Sequence, residues 1–377
     1  MINNTINKKK KVLFLIHDLG HGGAEKVLVN LVNNMDRNKF DITVMALFGG
    51  GVNEQFLKPD IHYRAVFQRV FRGNSHLMKL LSPEHLHKLF IKDQYDLEVA
   101  YLEGPSARIV SGCTNKNVKR VSWIHSQQPV KVAASSFRSI SEARACYDRF
   151  DRIIGVSEEV KKTFLACVAT SAPMQVLYNT NESEQIKLQA QDAVGKNLFS
   201  ENEFKIIGVG KLLKSKGFDR LARITEKLKK EGYPVHLYIL GVGPLQQELE
   251  RFIAEHELKD AITLLGYQTN PYKYVSRCDL FVCASFSEGF STAATEALIV
   301  GTPVCTVEVS GMKEMLGENN EYGIVTENSE EALYEGIKRL LDDPALLAHY
   351  RKQAALRGER FSTEKTVKAV EDMLLGL

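Results

Sequence analysis

The chain has 377 residues, of which 44% are hydrophobic and 25% are charged. At about 100–200 residues per domain, this length indicates two domains, and the near-average composition excludes disordered, collagen-like and disulfide-stapled proteins. The 49 basic and 46 acidic side chains leave a net charge of +3, which is too small to predict a nucleic-acid partner. No apolar run reaches the roughly 18 residues that suggest a membrane-spanning helix.

The cysteines and the N-terminal residues indicate the cellular compartment of the protein. The six cysteines are scattered without a Cys-x-x-Cys pair, and several lie in apolar runs, so we expect reduced thiols in the core. The residues before Val12 are polar and then basic, and the apolar run that follows ends at His17 and Asp18. This pattern lacks the apolar core and cleavage site of a secretory signal, which favours a cytoplasmic protein.

Short runs rich in Val and Ile alternate with longer amphipathic stretches along the whole chain. The predicted strands of the first half are Val12–Ile16, Ile42–Leu47, Leu97–Leu102, Arg120–Ile124, Arg152–Val156 and Gln175–Tyr178. Those of the second half are Lys205–Val209, Val235–Leu240, Ile262–Leu265, Leu280–Ala284 and Pro303–Thr306. Helices are predicted at Glu25–Met35, Ser141–Asp148, Phe218–Glu231, Leu245–His256 and Glu330–Leu341. The alternation is typical of βαβ units and predicts parallel sheets with helices on both faces.

The α/β pattern restarts after a polar stretch in the middle of the chain. We therefore predict a Rossmann-like domain at residues 1–180, a linker at 181–203 and a second Rossmann-like domain at 204–360. A helix at 361–377 is expected to pack back on the first domain. Because open α/β sheets bind ligands at the carboxyl ends of their strands, the expected site is a cleft between two facing domains.

The segment from His76 to Lys92 mixes Leu, Phe and Ile with Lys and His, and Pro83 interrupts it. One interpretation is an amphipathic, weakly basic segment that rests on a membrane surface. The other is a pair of short helices packed on the core. Both interpretations stay open at this point.

A glycine-rich loop, from Gly20 to Gly23, follows the first predicted strand. Glycines allow the backbone to approach a ligand, and the next helix offers free N–H groups to an anion. The spacing is not the Gly-x-Gly-x-x-Gly of a dinucleotide site. The loop is therefore compatible with anion binding and equally with a tight strand-to-helix turn.

Lysines cluster between Gly208 and Gly217, directly after the first strand of the second half. Lysines beside a glycine turn can hold a diphosphate, and we assign that contact to Lys211 and Lys216. Lys214 has the weakest claim because its side chain can simply face water.

The most informative stretch runs from Ser285 to Ala297, where a strand ends and a helix begins. The amides around Gly289 and Ser291 are expected to point at an anionic or sugar ligand. Glu296 should be partly buried, and a buried carboxylate is costly unless it accepts hydrogen bonds, for example from vicinal sugar hydroxyls. Glu288 could instead cap the helix, which would leave Glu296 unexplained.

Two further motifs follow predicted strands. His125 ends a strand of the first half, where a catalytic and a structural role are equally compatible with the sequence. Gly241-Val-Gly-Pro244 opens a helix, with Pro just inside its start, and is either a structural turn or a nucleotide contact.

Taken in order, these motifs resemble those of the retaining glycosyltransferases of the GT-B fold, family 4, over nearly the whole chain. The resemblance rests on Gly22-Gly23-Ala24-Glu25, the run from Gly210 to Gly217, Gly241-Val-Gly-Pro244, Asp279, and above all Glu288 and Glu296 with seven residues between them. It implies an α/β fold of two facing Rossmann-like domains. It also implies transfer of a sugar from a nucleotide-diphosphate donor with the anomeric configuration kept.

The resemblance implies donor-binding roles as well. Lys211 and Lys216, helped by the amides of Gly22 and Gly23, would neutralise the leaving diphosphate, and Glu296 would hold the ribose hydroxyls. Position 211 is often Arg in this family, and Lys offers a point charge without a bidentate fork.

The remaining implied roles concern the transferred sugar. Glu288, with the amides of Gly289, Phe290 and Ser291, would orient the donor sugar. His125 would lie near that sugar and the acceptor hydroxyl.

No Asp-x-Asp occurs in the chain, so we expect no metal and no other cofactor, with lysines and helix N-termini stabilising the diphosphate. A front-face substitution assisted by the leaving phosphate fits the residues better than a covalent intermediate on Glu288.

The expected partners are a nucleotide-sugar donor, a UDP-hexose or UDP-N-acetylhexosamine ahead of GDP-mannose, and a glycan or lipid-linked acceptor of a bacterial surface polysaccharide. Lys8 to Lys11 and the His76–Lys92 segment would suit the inner face of the cell membrane. Two alternatives stay open: a nucleotide-sugar epimerase on the same fold, and a catalytically silent module that binds a partner transferase.

Overall fold

The computed structural model describes residues 9–20, 22–71, 78–127, 135–195, 198–200 and 202–377. His21 of the glycine-rich loop, Lys8 of the basic start, and residues 76–77 of the amphipathic segment lie outside the described residues. The chain divides into two compact units: Met1–Asn181 together with Thr363–Leu377, and Glu182–Ser362.

The described part of the first unit contains a seven-stranded sheet in which every pairing is parallel. Its strands are β1 (Lys10–Ile16), β2 (Phe40–Phe48), β3 (His62–Phe67), β4 (Leu97–Ala100), β5 (Lys119–Ile124), β6 (Arg152–Gly155) and β7 (Met174–Val176). They are arranged in the order β3-β2-β1-β4-β5-β6-β7. The order therefore reverses between β1 and β4, and a sheet of this kind binds ligands at the carboxyl ends of such a pair.

Helices connect the strands of the first unit. They are α1 (Gly23–Asn34), α2 (Pro83–Phe90), α3 (Pro105–Val110), α4 (Ile140–Tyr147) and α5 (Glu158–Val168). The apolar residues 12–16 of β1 are completely buried, as are most of those in β2. This burial on both faces explains why these strands are nearly continuous apolar runs.

The second unit repeats the design with a six-stranded parallel sheet among the described residues. Its strands are β8 (Phe204–Val209), β9 (Val235–Leu240), β10 (Ile262–Gly266), β11 (Leu280–Cys283), β12 (Val304–Val307) and β13 (Ile324–Thr326). Their order is β10-β9-β8-β11-β12-β13, so the reversal lies between β8 and β11. The prediction of two Rossmann-like α/β domains is confirmed.

The helices of the second unit begin within the predicted linker. They are α6 (Ser183–Gln189), α7 (Phe218–Lys230), α8 (Gln246–Glu255), α9 (Tyr272–Val275), α10 (Thr292–Ile299), α11 (Met312–Leu316), α12 (Glu330–Asp342) and α13 (Pro344–Gly358). Ile186 of α6 is buried against Tyr272 and Ile299. Part of the stretch that we interpreted as a linker is therefore a packed helix of the second unit.

Every predicted strand is present, with ends that shift by about two residues or fewer. Two strands, β3 and β13, were not predicted. No residue of β3 is buried, and it carries His62 and Arg64, so it has no apolar run to reveal it. β13 has only three residues. Both lie at the edge of their sheet, where a strand needs less apolar surface.

The last helix, α14 (Thr363–Leu375), belongs to the first unit although the chain reaches it from the second. Its carboxylate Glu371 is 5% exposed. One oxygen accepts from the backbone N–H of Asp36 at 2.6 Å, and the other accepts from Nζ of Lys39 at 3.0 Å. Nζ of Lys10 donates to the carbonyl of Leu374 at 3.3 Å. These contacts fix α14 against the start of β1 and the turn after α1.

The cysteines and the lengths of the helices bear on the expected thiol state and on membrane spanning. All six cysteines are free, and all except Cys167 are buried. In the part of the chain that the structure describes, no helix has both the length and the apolar character needed to cross a bilayer.

We expect Glu371→Ala to lower the free energy of unfolding of the first unit by about 1–3 kcal/mol, because the backbone N–H of Asp36 and the ammonium of Lys39 both lose a charged acceptor. Asp372→Ala is the matched control, since Asp372 is exposed and its only ion pair within the described ranges is with Lys368 one turn away, an interaction of about 0.5 kcal/mol or less. Urea unfolding followed by fluorescence of Trp123, the single tryptophan, reports on the first unit. Equal effects of the two substitutions would contradict the role of Glu371.

Candidate functional site

The loops after β8 and β11 are neighbours because the two strands pair with each other, Ile206 opposite Leu280 and Ile207 opposite Phe281. The first loop carries the predicted lysines, and the second carries the predicted glutamates. The backbone N–H of Phe286 donates to the carbonyl of Ser215 at 2.7 Å, which joins the loops directly. The two motifs therefore meet where this fold binds its ligands.

Close backbone approach explains two of the glycines. Gly217 has φ +66°, and a Cβ there would lie 2.0 Å from the carbonyl oxygen of Ala284. Gly241 has φ +142°, and a Cβ there would lie 1.8 Å from the carbonyl oxygen of Gly210. Only glycine permits both the dihedral angle and the contact. The Gly241-Val-Gly-Pro244 motif therefore has at least a structural role, since it packs against the lysine loop.

Lys216 and Glu288 form an ion pair. Nζ of Lys216 lies 2.6 Å from Oε1 of Glu288, and the hydroxyl of Ser285 donates to the same oxygen at 2.6 Å. The side chain of Glu288 is 11% exposed, and that of Lys216 is 29% exposed. Because an ammonium has three donors, Lys216 can hold Glu288 and still donate to a phosphate oxygen.

The other two lysines of the loop behave differently. Lys211 is exposed, and its side chain makes no hydrogen bond or ion pair with any residue that the structure describes. Lys214 is exposed as well, and its Nζ lies 3.6 Å from Oε2 of Glu248, which is also exposed. Lys211 is thus available for an anion, whereas Lys214 faces water as expected.

Ser291 is the N-cap residue of α10. The hydroxyl of Ser291 accepts from the backbone N–H of Ala294 at 3.3 Å, and Ser291 has the extended backbone of an N-cap. The alternative interpretation of Glu288 as the helix cap is therefore wrong. Phe290 is buried, with its ring centroid 5.8 Å from that of Phe361, and so anchors the turn between Glu288 and the helix.

Glu296 lies in the second turn of α10 and is 7% exposed. The hydroxyl of Tyr272 donates to its Oε1 at 3.2 Å. Tyr272 was not predicted from the sequence, since a tyrosine in a short helix carries no signal of a partner distant in the chain. Glu288 and Glu296 keep separate sets of partners, which is what two different ligand groups would require.

In the first unit, the loop after β1 is tied by polar side chains. Oδ1 of Asp18 accepts from the N–H of Gly20 at 2.7 Å, and the side-chain amide of Asn53 donates to the carbonyl of Gly20. Gly22 is the N-cap of α1, and Gly23 is its first residue. The start of α1 directly follows the strand at which the order of this sheet reverses, which is the position expected of an anion-binding loop.

His125 follows β5 and is held by Glu103, which was not predicted. The backbone N–H of His125 donates to Oε2 of Glu103 at 3.0 Å, and the hydroxyl of Ser126 donates to the other carboxylate oxygen. The imidazole lies against the ring of Tyr101, with centroids 4.9 Å apart. Nε2 is buried and has no hydrogen-bond partner among the described residues.

Burial lowers the pKa of His125 to about 3, although a hydrogen bond with the backbone of Tyr101 acts in the opposite direction. Burial also raises the pKa of Glu103, against the effect of the hydrogen bonds from Ser126 and His125. The imidazole is therefore neutral at physiological pH. The neutral imidazole can form a hydrogen bond with a hydroxyl group, but it supplies no positive charge.

Fold and site together define a two-domain enzyme of the GT-B type. The family model "Glycosyltransferase Family 4" matches residues 21–181, and the model "Glycosyl transferases group 1" matches residues 189–357. Between them they account for both domains in the expected order. The chain belongs to the group 1 glycosyltransferases of the GT-B fold.

Individual relatives agree with this assignment. The N-acetylgalactosamine-N,N'-diacetylbacillosaminyl-diphospho-undecaprenol 4-alpha-N-acetylgalactosaminyltransferase of Campylobacter jejuni is 28% identical over 97% of this chain and 100% of its own length. The lipopolysaccharide core biosynthesis glycosyltransferase LpsD of Rhizobium meliloti is 30% identical over 46% of this chain and 49% of its own. Among solved structures, Anabaena Alr3699/HepE in complex with UDP superimposes with a TM-score of 0.78 at 20% identity. The superposition covers 97% of this chain and 100% of the HepE chain.

We expect His125 to remain neutral between about pH 5 and pH 8. Its folded pKa of about 3 lies below its ordinary value of 6.5. Its contribution to stability is therefore complete above pH 6.5 and is lost as the pH falls toward 3. Histidine NMR spectra, with the signal assigned by a His125→Gln variant, should show no titration in this range. The same histidine in urea-unfolded protein is the control, and a folded-state midpoint near 6.5 would contradict the expectation.

Proposed function

We propose that this protein is a retaining glycosyltransferase. It moves a hexose or N-acetylhexosamine from a nucleotide-diphosphate sugar, a UDP-sugar first of all, to a hydroxyl of a glycan or lipid-linked acceptor in bacterial surface polysaccharide synthesis. The observation that carries the proposal is the joined pair of loops after β8 and β11, in which Lys216 pairs with Glu288. Glu296 lies in α10, the helix that begins where the second loop ends. The UDP named with HepE and the diphospho-undecaprenol acceptor named for the Campylobacter relative support the donor and acceptor classes.

Charge development explains the roles of the residues. When the bond between the anomeric carbon and the diphosphate oxygen breaks, its electron pair stays on the diphosphate, and the sugar gains oxocarbenium character. In this proposal, Lys216 and the exposed Lys211 stabilise the negative charge that develops on the diphosphate. Glu296 is assigned to the ribose hydroxyls, and His125 to the region of the donor sugar and the acceptor hydroxyl.

The partners of Glu288 support substitution on the front face. Its Oε1 already accepts from Lys216 and Ser285, which stabilises the carboxylate and makes it a weak nucleophile. In the proposed step, the acceptor oxygen bonds to the anomeric carbon on the side from which the diphosphate departs. The acceptor proton passes to the departing phosphate oxygen, so no covalent sugar–enzyme adduct is required. The lysines take the place of a bridging metal, and the transfer is proposed to need no cofactor.

Glu288→Gln is expected to lower kcat by about 100-fold or more, because the charge that positions Lys216 and faces the donor sugar is lost. Glu296→Gln should mainly raise the KM for the donor. Glu248→Gln is the matched control, since this glutamate is exposed and, among the described residues, forms an ion pair with Lys214 alone. The assay contains EDTA, UDP-sugars and a lipid-linked acceptor, and NMR reads the anomeric configuration of the product.

The same assay separates the alternatives. An inverted product would refute the retaining mechanism. An epimerised donor in the absence of acceptor would identify an epimerase, and donor binding without turnover would identify a silent module. Loss of all activity in EDTA that Mg²⁺ or Mn²⁺ restores, and Zn²⁺ does not, would overturn the metal-independent mechanism.

We also propose that the protein works at the cytoplasmic face of the cell membrane and contacts it through the region around α2. Leu80 is 74% exposed, and Leu89 is 51% exposed. The buried Arg108 donates to the carbonyls of Met78 and Leu81, both at 2.8 Å, so the segment that presents Leu80 is rigidly held. Fixed leucines among lysines and histidines are suited to an anionic lipid surface.

A Leu80→Glu/Leu89→Glu double variant should bind anionic vesicles at least about tenfold more weakly at low salt, because each buried leucine contributes about 1.5–3 kcal/mol. Leu188→Glu is the control, since Leu188 is 61% exposed but lies on α6 of the second unit. Vesicle sedimentation measures the affinity. Equal binding by the two variants, or no binding by the parent protein, would refute membrane contact.

A further inference from the structure

Three potential metal ligands meet in the first unit, outside the candidate glycosyltransferase site. His87 lies in the last turn of α2, Glu98 lies in β4, and Cys113 follows α3. One ligand atom from each lies within 4.8 Å of those of the other two. Nε2 of His87 is 2.8 Å from Oε2 of Glu98.

The position of Glu98 is the unusual feature of this cluster. β4 lies between β1 and β5 in the sheet, and its other residues, Leu97, Val99 and Ala100, are completely buried. Glu98 is itself only 2% exposed. A carboxylate at such a position is costly unless a cation and hydrogen bonds compensate it.

The backbone brings Cys113 to this carboxylate. A Cβ on the preceding residue, Gly112, would lie 2.0 Å from the carbonyl oxygen of Pro83, the first residue of α2. Glycine thus allows the loop that carries Cys113 to pack directly on the helix that carries His87. Cys113 is 5% exposed, and the side chain of His87 is 16% exposed, so His87 is the most accessible of the three ligands.

The donor atoms favour one class of cation. Imidazole nitrogen, thiolate sulfur and carboxylate oxygen are the ligands of Zn²⁺, whereas Mg²⁺ and Ca²⁺ prefer oxygen alone. A carboxylate and a thiolate neutralise a dication, so the buried site would carry no net charge. A tetrahedral centre with bonds of about 2.0–2.3 Å requires small side-chain shifts from the present separations.

We propose that His87, Glu98 and Cys113 form a zinc site that ties α2 to the central sheet, with water as the fourth ligand. Glu98 is the second residue of β4 and lies toward its amino end, whereas ligands of this fold bind at the carboxyl ends. The site is therefore structural and stabilises the element whose outer face presents Leu89. It takes no part in sugar transfer.

Cobalt substitution tests the site in the full-length, untagged protein. Metal-free protein titrated with Co²⁺ should bind one equivalent, with a sulfur-to-cobalt charge-transfer band and intense tetrahedral visible bands, and Zn²⁺ should displace it. Cys113→Ser should lose the charge-transfer band and bind at least about tenfold more weakly. Cys146→Ser is the matched control, because Cys146 is a buried cysteine of the same unit outside the cluster.

Zn²⁺ should also raise the Tm of the parent and of Cys146→Ser, and should raise that of Cys113→Ser by less at the same concentration. Absence of the charge-transfer band in the parent protein would overturn the proposal, as would an unchanged band in Cys113→Ser. If circular dichroism shows that Cys113→Ser does not fold, the proposal is tested instead by the cobalt spectrum of the parent protein and by a Glu98→Gln variant. Glu98→Gln should keep the thiolate band but bind Co²⁺ at least about tenfold more weakly, and undiminished affinity would overturn the set of ligands.

Discussion

The spacing between the backbones at Gly217 and Ala284 sets the geometry of the second unit's site. Without a Cβ at position 217, the loop after β8 comes into contact with the end of β11. That contact allows the hydrogen bond between Phe286 and Ser215 and brings the Lys216 ammonium to Glu288. A partly exposed ion pair adds little stability. Its value is positional, because it places a cation and a carboxylate side by side before any ligand arrives.

Arg220 supports the same loop from the first turns of α7. It is 2% exposed, donates to the carbonyl of Ser285 at 3.1 Å, and lies 4.1 Å from the ring centroid of Phe286. Burial lowers the pKa of this guanidinium, although nearby acidic groups act in the opposite direction. No carboxylate forms a salt bridge with Arg220 within the described ranges. Its charge therefore adds to the potential of Lys211 and Lys216, which favours an anionic ligand at the ends of β8 and β11.

Local patterns predicted β8 to β12 of the second unit and the loops that carry its motifs, because a buried parallel strand is a continuous apolar run and the loop after it is short. The partners that complete the site were not predicted. Tyr272 reaches Glu296 from a separate helix, and Glu103 reaches His125 from the loop after a different strand. Such contacts depend on strand order, which the alternation of strands and helices does not specify. The capping role of Ser291, by contrast, follows from local hydrogen bonds and could have been weighed against Glu288 from the sequence.

The cluster of His87, Glu98 and Cys113 was not predicted from the sequence either, because it too depends on contacts between residues distant in the chain. Recognisable zinc motifs place their ligands at short, regular spacings within one turn or knuckle. Here one ligand comes from a helix, one from a central strand and one from a later loop. In the sequence, the only sign of this site is Glu98, the single charged residue in the run Leu-Glu-Val-Ala. That charge indicates little until the strand is known to be buried on both faces. The cost of burying a carboxylate is a property of the folded sheet, so its compensation becomes visible only when the sheet is assembled.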